Sequence, residues 1–198
     1  DILGRQEVHR IIETLRKDYD AVVSDVEKLN FTTGHIQKVM QGLLREQVSV
    51  RNMVEILETM ADYGAITQNT DILIEKVRQR LARQISLQYA DGDSRVLHVI
   101  TVNPSILQVM IQNKLDTMNG PIVAWDIAMQ QAWIAEVSKT IVSVQNSGYV
   151  PIILVHEEAR RLVKASIDRE LPGVVVLAVQ EIIKEIKVES LGEINVKL

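Results

Sequence analysis

GHIQKVMQGLLREQVSVRNMVEILETMADYGAITQNTDILIEKVRQRLARQI, Gly34 to Ile85, decides how this chain is read. Apolar residues recur there every three or four positions, the signature of amphipathic helices that bury one stripe. Ile36, Val39, Met40 and Leu43 mark the first stripe, with Thr32 or Thr33 placed to cap its helix. A second begins after Ser49, whose hydroxyl is of the type that accepts from free backbone N–H groups at a helix start. Its expected buried residues are Val50, Met53, Val54, Leu57 and Ala61, and it stops near Gly64. Asn69 or Thr70 opens the third, with Leu73, Ile74, Val77, Leu81 and Ile85 inward. The stretch carries no catalytic pattern and reads as a helical interaction module.

Upstream, Val8, Ile11, Ile12 and Leu15 form another such stripe, and a short helix is expected from Tyr19 to Leu29. Loops this short between helices make a small bundle. Downstream, Ala90, Asp91, Gly92, Asp93 and Ser94 are turn formers, and the period then becomes strand-like. Val96 to Val102 reads as a strand covered on both faces. Asn103-Pro104 then starts a helix reaching about Leu115. Gly120-Pro121 is expected to open a long helix, with Val123, Ile127, Ile134, Val137 and Ile141 inward and Gly148 near its end. Strands follow at Pro151 to Val155 and Val174 to Val179, separated by a helix from Glu157 to Arg169. Ile186 and Val188, alternating with Lys187 and Glu189, mark a half-exposed final strand. The expected fold is mixed α and β. A small helical bundle over 1–90 precedes a compact α/β subdomain over 91–198, with a partly parallel sheet of about four strands.

The 198 residues suffice for one domain or two small ones, and 46% hydrophobic residues supply a core. Only 4% are aromatic and the formal net charge is −4. Neither a stacking platform nor the basic footprint of a nucleic-acid binder is present. Arg78, Arg80 and Arg83 cluster, as do Arg160, Arg161 and Lys164, and each group reads as a solvated helix face. There is no cysteine, so thiolate and disulfide chemistry are excluded. No apolar run approaches the roughly 18 residues of a membrane span, so direct membrane contact is not expected. A chain opening at Asp1 without an initiator Met reads as a fragment or processed product.

Chemistry is sparse. His156-Glu157 could begin a zinc-binding H-E-x-x-H, but Arg160 stands where the second His belongs. The histidines have no ligand spacing, no Ser lies in a nucleophile elbow, and the first strand meets Asn103-Pro104 where a Gly-rich phosphate cradle would lie. Carboxylate pairs such as Asp91/Asp93 and Glu157/Glu158 suit a turn and a helix start. No catalytic, metal or cofactor-binding residue is assigned. Surface remains: Arg45, Glu46, Ser49, Arg51 and Glu55 gather at one inter-helix junction. These are either exposed charges contributing a few tenths of a kcal/mol per pair, or the charged rim of a protein contact that sets register and specificity.

LGRQEV (Leu3 to Val8), LLREQVSVRN (Leu43 to Asn52), ILETMADY (Ile56 to Tyr63) and VRQRLARQI (Val77 to Ile85) resemble the cytoplasmic region of the flagellar and type III secretion export-gate (FHIPEP) family. HVITVNP (His98 to Pro104), PIILV and ELPGVVVL (Glu170 to Leu177) follow in the family's order. Asn52 departs from the family's usual Asp after Ser-x-Arg. The resemblance implies the last two cytoplasmic subdomains of a bacterial inner-membrane protein that forms a nonameric ring beneath the export gate. It implies that export substrates, their chaperones and the stalk protein are partners, with the main chaperone groove in preceding subdomains. The flagellar version fits better than the injectisome version through LGRQEV and LARQI. The alternative from another class is a small-molecule-binding α/β regulatory domain with a helical appendage, against which the missing Gly-rich loop counts.

Overall fold

Apolar stripes at helical spacing become helices, and most departures from expectation fall at helix ends. The computed structural model describes residues 3–198. Within them lie α1 (Arg5–Arg16), α2 (Asp20–Lys28), α3 (Thr33–Arg45), α4 (Met53–Gly64), α5 (Thr70–Arg80) and α6 (Ala82–Tyr89). Two compact units divide between Ile85 and Ser86, inside α6.

In the helical unit, Val8, Ile12, Ile36, Val39, Met40 and Leu43 are buried. Thr32 caps α3 in a reciprocal box: its hydroxyl accepts from His35 N–H at 3.2 Å, while His35 Nδ1 accepts from Thr32 N–H at 2.9 Å. Asn69 caps α5 by accepting from Asp71 and Ile72 N–H groups. α2 and α3 both end in a left-handed residue, Asn30 at φ 64° and Gln47 at φ 62°. The next residue's N–H reaches back, Phe31 to the Val26 carbonyl and Val48 to that of Leu43. Both returning side chains are buried, so each cap also pins its loop to the core.

α4 corrects the expected stripe. It starts at Met53, so Val50 lies outside it, and the buried set is Met53, Ile56, Leu57, Thr59, Met60 and Gly64. Val54 and Ala61 are only half-buried. Gly64 ends α4 for a packing reason: a Cβ there would stand 2.5 Å from Phe31 Cε2. The expected single third helix is broken at Leu81 into α5 and α6.

The α/β unit runs β1 (Val96–Val102), α7 (Pro104–Gln112), β2 (Lys114–Thr117), β3 (Gly120–Val123), α8 (Ile127–Asn146), β4 (Ile152–Val155), α9 (Glu157–Ile167), β5 (Val175–Ala178), a 3-10 turn (Val179–Glu181) and β6 (Lys187–Ile194). The sheet has the order β5-β4-β1-β6, and every pairing in it is parallel. Parallel neighbours need long crossovers, which α7, α8 and α9 supply. Trp133, Val137, Ile153 and Val163 lie at the centre of its core. β6 is an edge strand, bulged where Val99 faces Ser190 and Ile100 faces Gly192.

The expected helix start at Gly120-Pro121 is wrong. That dipeptide begins the second strand of a hairpin in which Leu115 faces Ile122. Gly120 sits at φ 104°, a conformation an L side chain resists. The Thr117 hydroxyl closes the turn by donating to the Gly120 carbonyl at 2.6 Å. α8 starts only after Asp126, whose carboxylate accepts from Met129 N–H at 2.7 Å. Ile127, expected inward, is 76% exposed. α7 accordingly stops at Gln112, leaving Leu115 to the hairpin.

The basic clusters differ from expectation in part: Arg80 and Arg83 are exposed, whereas three other cations are buried. Arg160 is fully buried and Lys164 nearly so. Arg160 Nη1 donates to the Val176 carbonyl at 3.0 Å, and its Nε lies 3.8 Å from Glu181 Oε2. Lys164 Nζ donates to the Pro172 and Val174 carbonyls and lies 3.2 Å from Asp168. These charges tie α9 to the segment entering β5. Arg78 is buried as well, with Nη1 at 3.9 Å from Glu46 Oε1.

Candidate interaction surface

The junction singled out from sequence is the α3–α4 connection, residues 46–52. Its path is set from both ends. The left-handed Gln47 turns the chain out of α3, and buried Val48 anchors the turn. Beyond it, Gln84 of α6 holds the chain twice, donating from Nε2 to the Ser49 carbonyl at 3.0 Å and accepting from Asn52 Nδ2 at 2.7 Å.

Ser49 is not the cap of α4. Its hydroxyl accepts from the Arg51 N–H at 3.3 Å in a local turn, four residues before Met53 opens the helix. Asn52 holds the cap position but makes no side-chain cap bond; its Nδ2 donates to Gln84. Arg45, Ser49, Arg51 and Glu55 are exposed, whereas Glu46 is half-buried against Arg78. So Glu46 is part of the link between α3 and α5, and four of the five residues face solvent.

Arg51 does more than line a loop. With Arg10 of α1 it borders an open cleft of about 380 Å³, floored by Ile11, Leu15 and Met53 and edged by Tyr19. Tyr19 is 47% exposed, so the aromatic edge is accessible. The arrangement is an apolar floor bordered by two guanidinium groups and the Asp18 carboxylate, suited to binding another protein surface. It offers no activated nucleophile, paired acid and base, or metal-ligand set. Among the described residues, no group of three or more His, Cys, Asp or Glu could hold a metal ion.

A second exposed feature escaped sequence reasoning. The outer face of the β2–β3 hairpin carries Leu115 and Ile122 opposite one another, with Met118 fully exposed at its tip. The available signal was Gly120 at the end of a short alternation from Lys114 to Thr117, which hairpins use.

Comparison with known proteins places this geometry. Over residues 1–187 the chain matches the model of the FHIPEP family. It is 42% identical over 197 residues to the flagellar biosynthesis protein FlhA of Borreliella burgdorferi, covering 100% of this chain and 28% of that protein. It is 32% identical to FlhA of Bacillus subtilis, covering 99% of this chain and 29% of the relative. Among solved structures, the Chlamydia pneumoniae CdsV protein superposes with a TM-score of 0.88 at 27% identity, over 98% of this chain and 55% of that one. The nonameric EPEC SctV-C gives a TM-score of 0.85 at 25% identity, over 96% of this chain and 56% of that one. The chain thus spans just over a quarter of the length of the curated relatives it matches. With the helical block, the parallel sheet and the sequence match in agreement, this chain belongs to the FHIPEP family.

Proposed function

We propose that this chain is a docking and assembly part of a type III protein export gate, of the flagellar kind. Its helical unit makes contacts between neighbouring copies in a ring at the cytoplasmic face of the bacterial inner membrane. Its α/β unit takes part in receiving export substrates, their chaperones and soluble components such as the stalk protein. The observation that carries the reading is the likeness to the nonameric SctV-C over 96% of this chain. A complex of the Chlamydia pneumoniae CdsV and CdsO proteins, similar at TM-score 0.82 and 25% identity, supports a soluble export component as partner. Flagellar relatives at 42% and 39% identity, against 27% for the Yersinia pestis low calcium response locus protein D, favour the flagellar version.

Within this reading, Arg45, Ser49, Arg51 and Glu55 form the exposed part of the contact and Glu46 its support. Arg51→Glu in the full-length protein reverses a charge beside an apolar cleft, where a like-charge clash costs several kcal/mol. Ring assembly of the purified protein and motility or secretion of the cells should both fall, while the unfolding midpoint of the 198-residue chain stays unchanged. Unchanged assembly and export would remove these residues from the contact without touching the family membership. A lowered unfolding midpoint would make Arg51 a folding residue instead.

A further inference from the structure

α1 has two working faces. Arg10, Ile11 and Thr14 line the cleft beside Arg51, while His9, Ile12, Glu13 and Arg16 line a second cleft of about 350 Å³. The floor of the second is wholly apolar: Ile12, Val23, Val26, Phe31, Ile36 and Leu57, none more than 6% exposed. Its charges sit at the mouth. Arg16 bridges α1 to α2 there, bonding Glu13 through Nε and Nη2 at 3.3 and 3.0 Å and Glu27 through Nη1 and Nη2 at 2.7 and 3.1 Å.

These details select the occupant. A small-molecule pocket fixes its ligand with a few polar groups that converge inside it; here the polar lining residues His9, Thr32 and Thr33 stand with the charges around the mouth, and the Thr32 hydroxyl is already committed to the His35 cap. An apolar floor with charges confined to the rim is the anatomy of a protein anchor pocket. The sign of charge follows from the bridge. Glu13 and Glu27 side chains are 47% and 53% exposed, and one guanidinium serves both. The hydrogen bonds from Arg16 hold both carboxyls below the usual Glu range, so both are ionised at neutral pH. An acidic partner would meet an arginine whose Nε and both Nη atoms already serve carboxylates. A basic one would meet a net negative mouth.

We propose that this cleft receives an amphipathic basic helix of a partner protein, with a leucine-sized side chain seated on the floor and a lysine or arginine one turn away against Glu13 and Glu27. Such a helix lays its apolar face into the groove and reads it through anchors at i and i+3 or i+4. The site does not use Arg51, so it stands or falls separately from the ring contact.

The test titrates the 198-residue chain with an acetylated helical peptide of leucine and lysine, and with its leucine–glutamate counterpart. Methyl NMR shifts report on Ile12, Val23, Val26, Ile36 and Leu57. The lysine peptide should shift these methyls and bind about tenfold or more tighter than the glutamate peptide, with the gap closing as salt is raised. Thr33→Trp, which plugs the cleft from its rim, should weaken the lysine peptide about tenfold or more, and Arg51→Glu should leave it unchanged. Glu27→Gln should reduce the salt-sensitive part alone. Equal binding of the two peptides, shifts elsewhere in the chain, or undiminished binding to a folded Thr33→Trp protein would overturn the proposal. Should Thr33→Trp fail to fold, Thr33→Leu at the same rim position takes its place, with the same methyl shifts as readout and weaker binding of the lysine peptide expected.

Discussion

At the scale of single residues, the structure separates positions that look equivalent in sequence. Gly42 and Gly64 both sit in helices at close approaches. A Cβ on Gly64 would meet the Phe31 ring at 2.5 Å, and that ring is itself buried and cannot swing away. On Gly42 it would meet Ile74 Cδ1, the free end of a half-buried side chain that can rotate. Gly64→Ala should therefore cost about 1–3 kcal/mol through overpacking. For Gly42→Ala, displacement of Ile74 is offset by the helix preference of Ala over Gly, about 1 kcal/mol, and the change should be near neutral. Urea unfolding of the two variants checks the order. The capping residues separate in the same way. Asn69 bonds two backbone N–H groups at the start of α5, and Asn69→Ala should cost roughly 1 kcal/mol. Ser49 caps nothing, so Ser49→Ala should stay within about 0.5 kcal/mol. A larger loss at Ser49 than at Asn69 would show that the 46–52 connection matters more than the helix cap.

At the scale of an element, α9 shows how a helix can hide charge. Arg160, Val163, Lys164 and Ile167 follow the i, i+3, i+4, i+7 spacing, so both cations lie on the buried stripe. The same spacing puts Arg78 with Val77 and Leu81. That period was legible from residue numbers, and it separates buried Arg78, Arg160 and Lys164 from Arg80 and Arg83, which are exposed as expected, and from half-buried Arg161. The partners were not legible, because Val176, Glu181, Pro172 and Val174 come from later segments. Replacing Glu181 by Ala takes a carboxylate away from the buried Arg160 guanidinium and from the Ala178 N–H that it also accepts from. The cost should be about 3–5 kcal/mol, measured by thermal or urea unfolding. A loss below ~1 kcal/mol would mean that the other interactions of Arg160, among them its bond to the Val176 carbonyl, suffice. The hairpin is the opposite case. Gly120-Pro121 suits either a helix start or a turn, and only its pairing with Lys114–Thr117 decides between them.

At the scale of the whole molecule, the expected boundary and the compact units invite a direct test. Sequence composition puts the break at the Ala90–Ser94 turn, whereas the chain's contacts divide it between Ile85 and Ser86, within α6. Limited proteolysis should cut first between Ala90 and Arg95, an exposed turn where a protease can extend the backbone. First cuts inside α6 instead would place the flexible point at the division of the units. Either fragment pair can be identified by mass.

Wherever an apolar period ran long enough, residue order alone told helix from strand. Ile36 to Leu43 and Val96 to Val102 are examples, because a stripe of fixed spacing has one way to leave water. It also carried the family, since the helical motifs survive as sequence. The start of α4 was open until distant packing was seen: the Asn52 carbonyl accepts the first helical bond, from Ile56, while its side chain answers to Gln84, 32 positions away. Only that packing showed that Gly64 exists for Phe31, that Arg160 is buried, and that two clefts flank α1. Each of these depends on which side chain arrives from a distant segment, and local spacing carries no information about that.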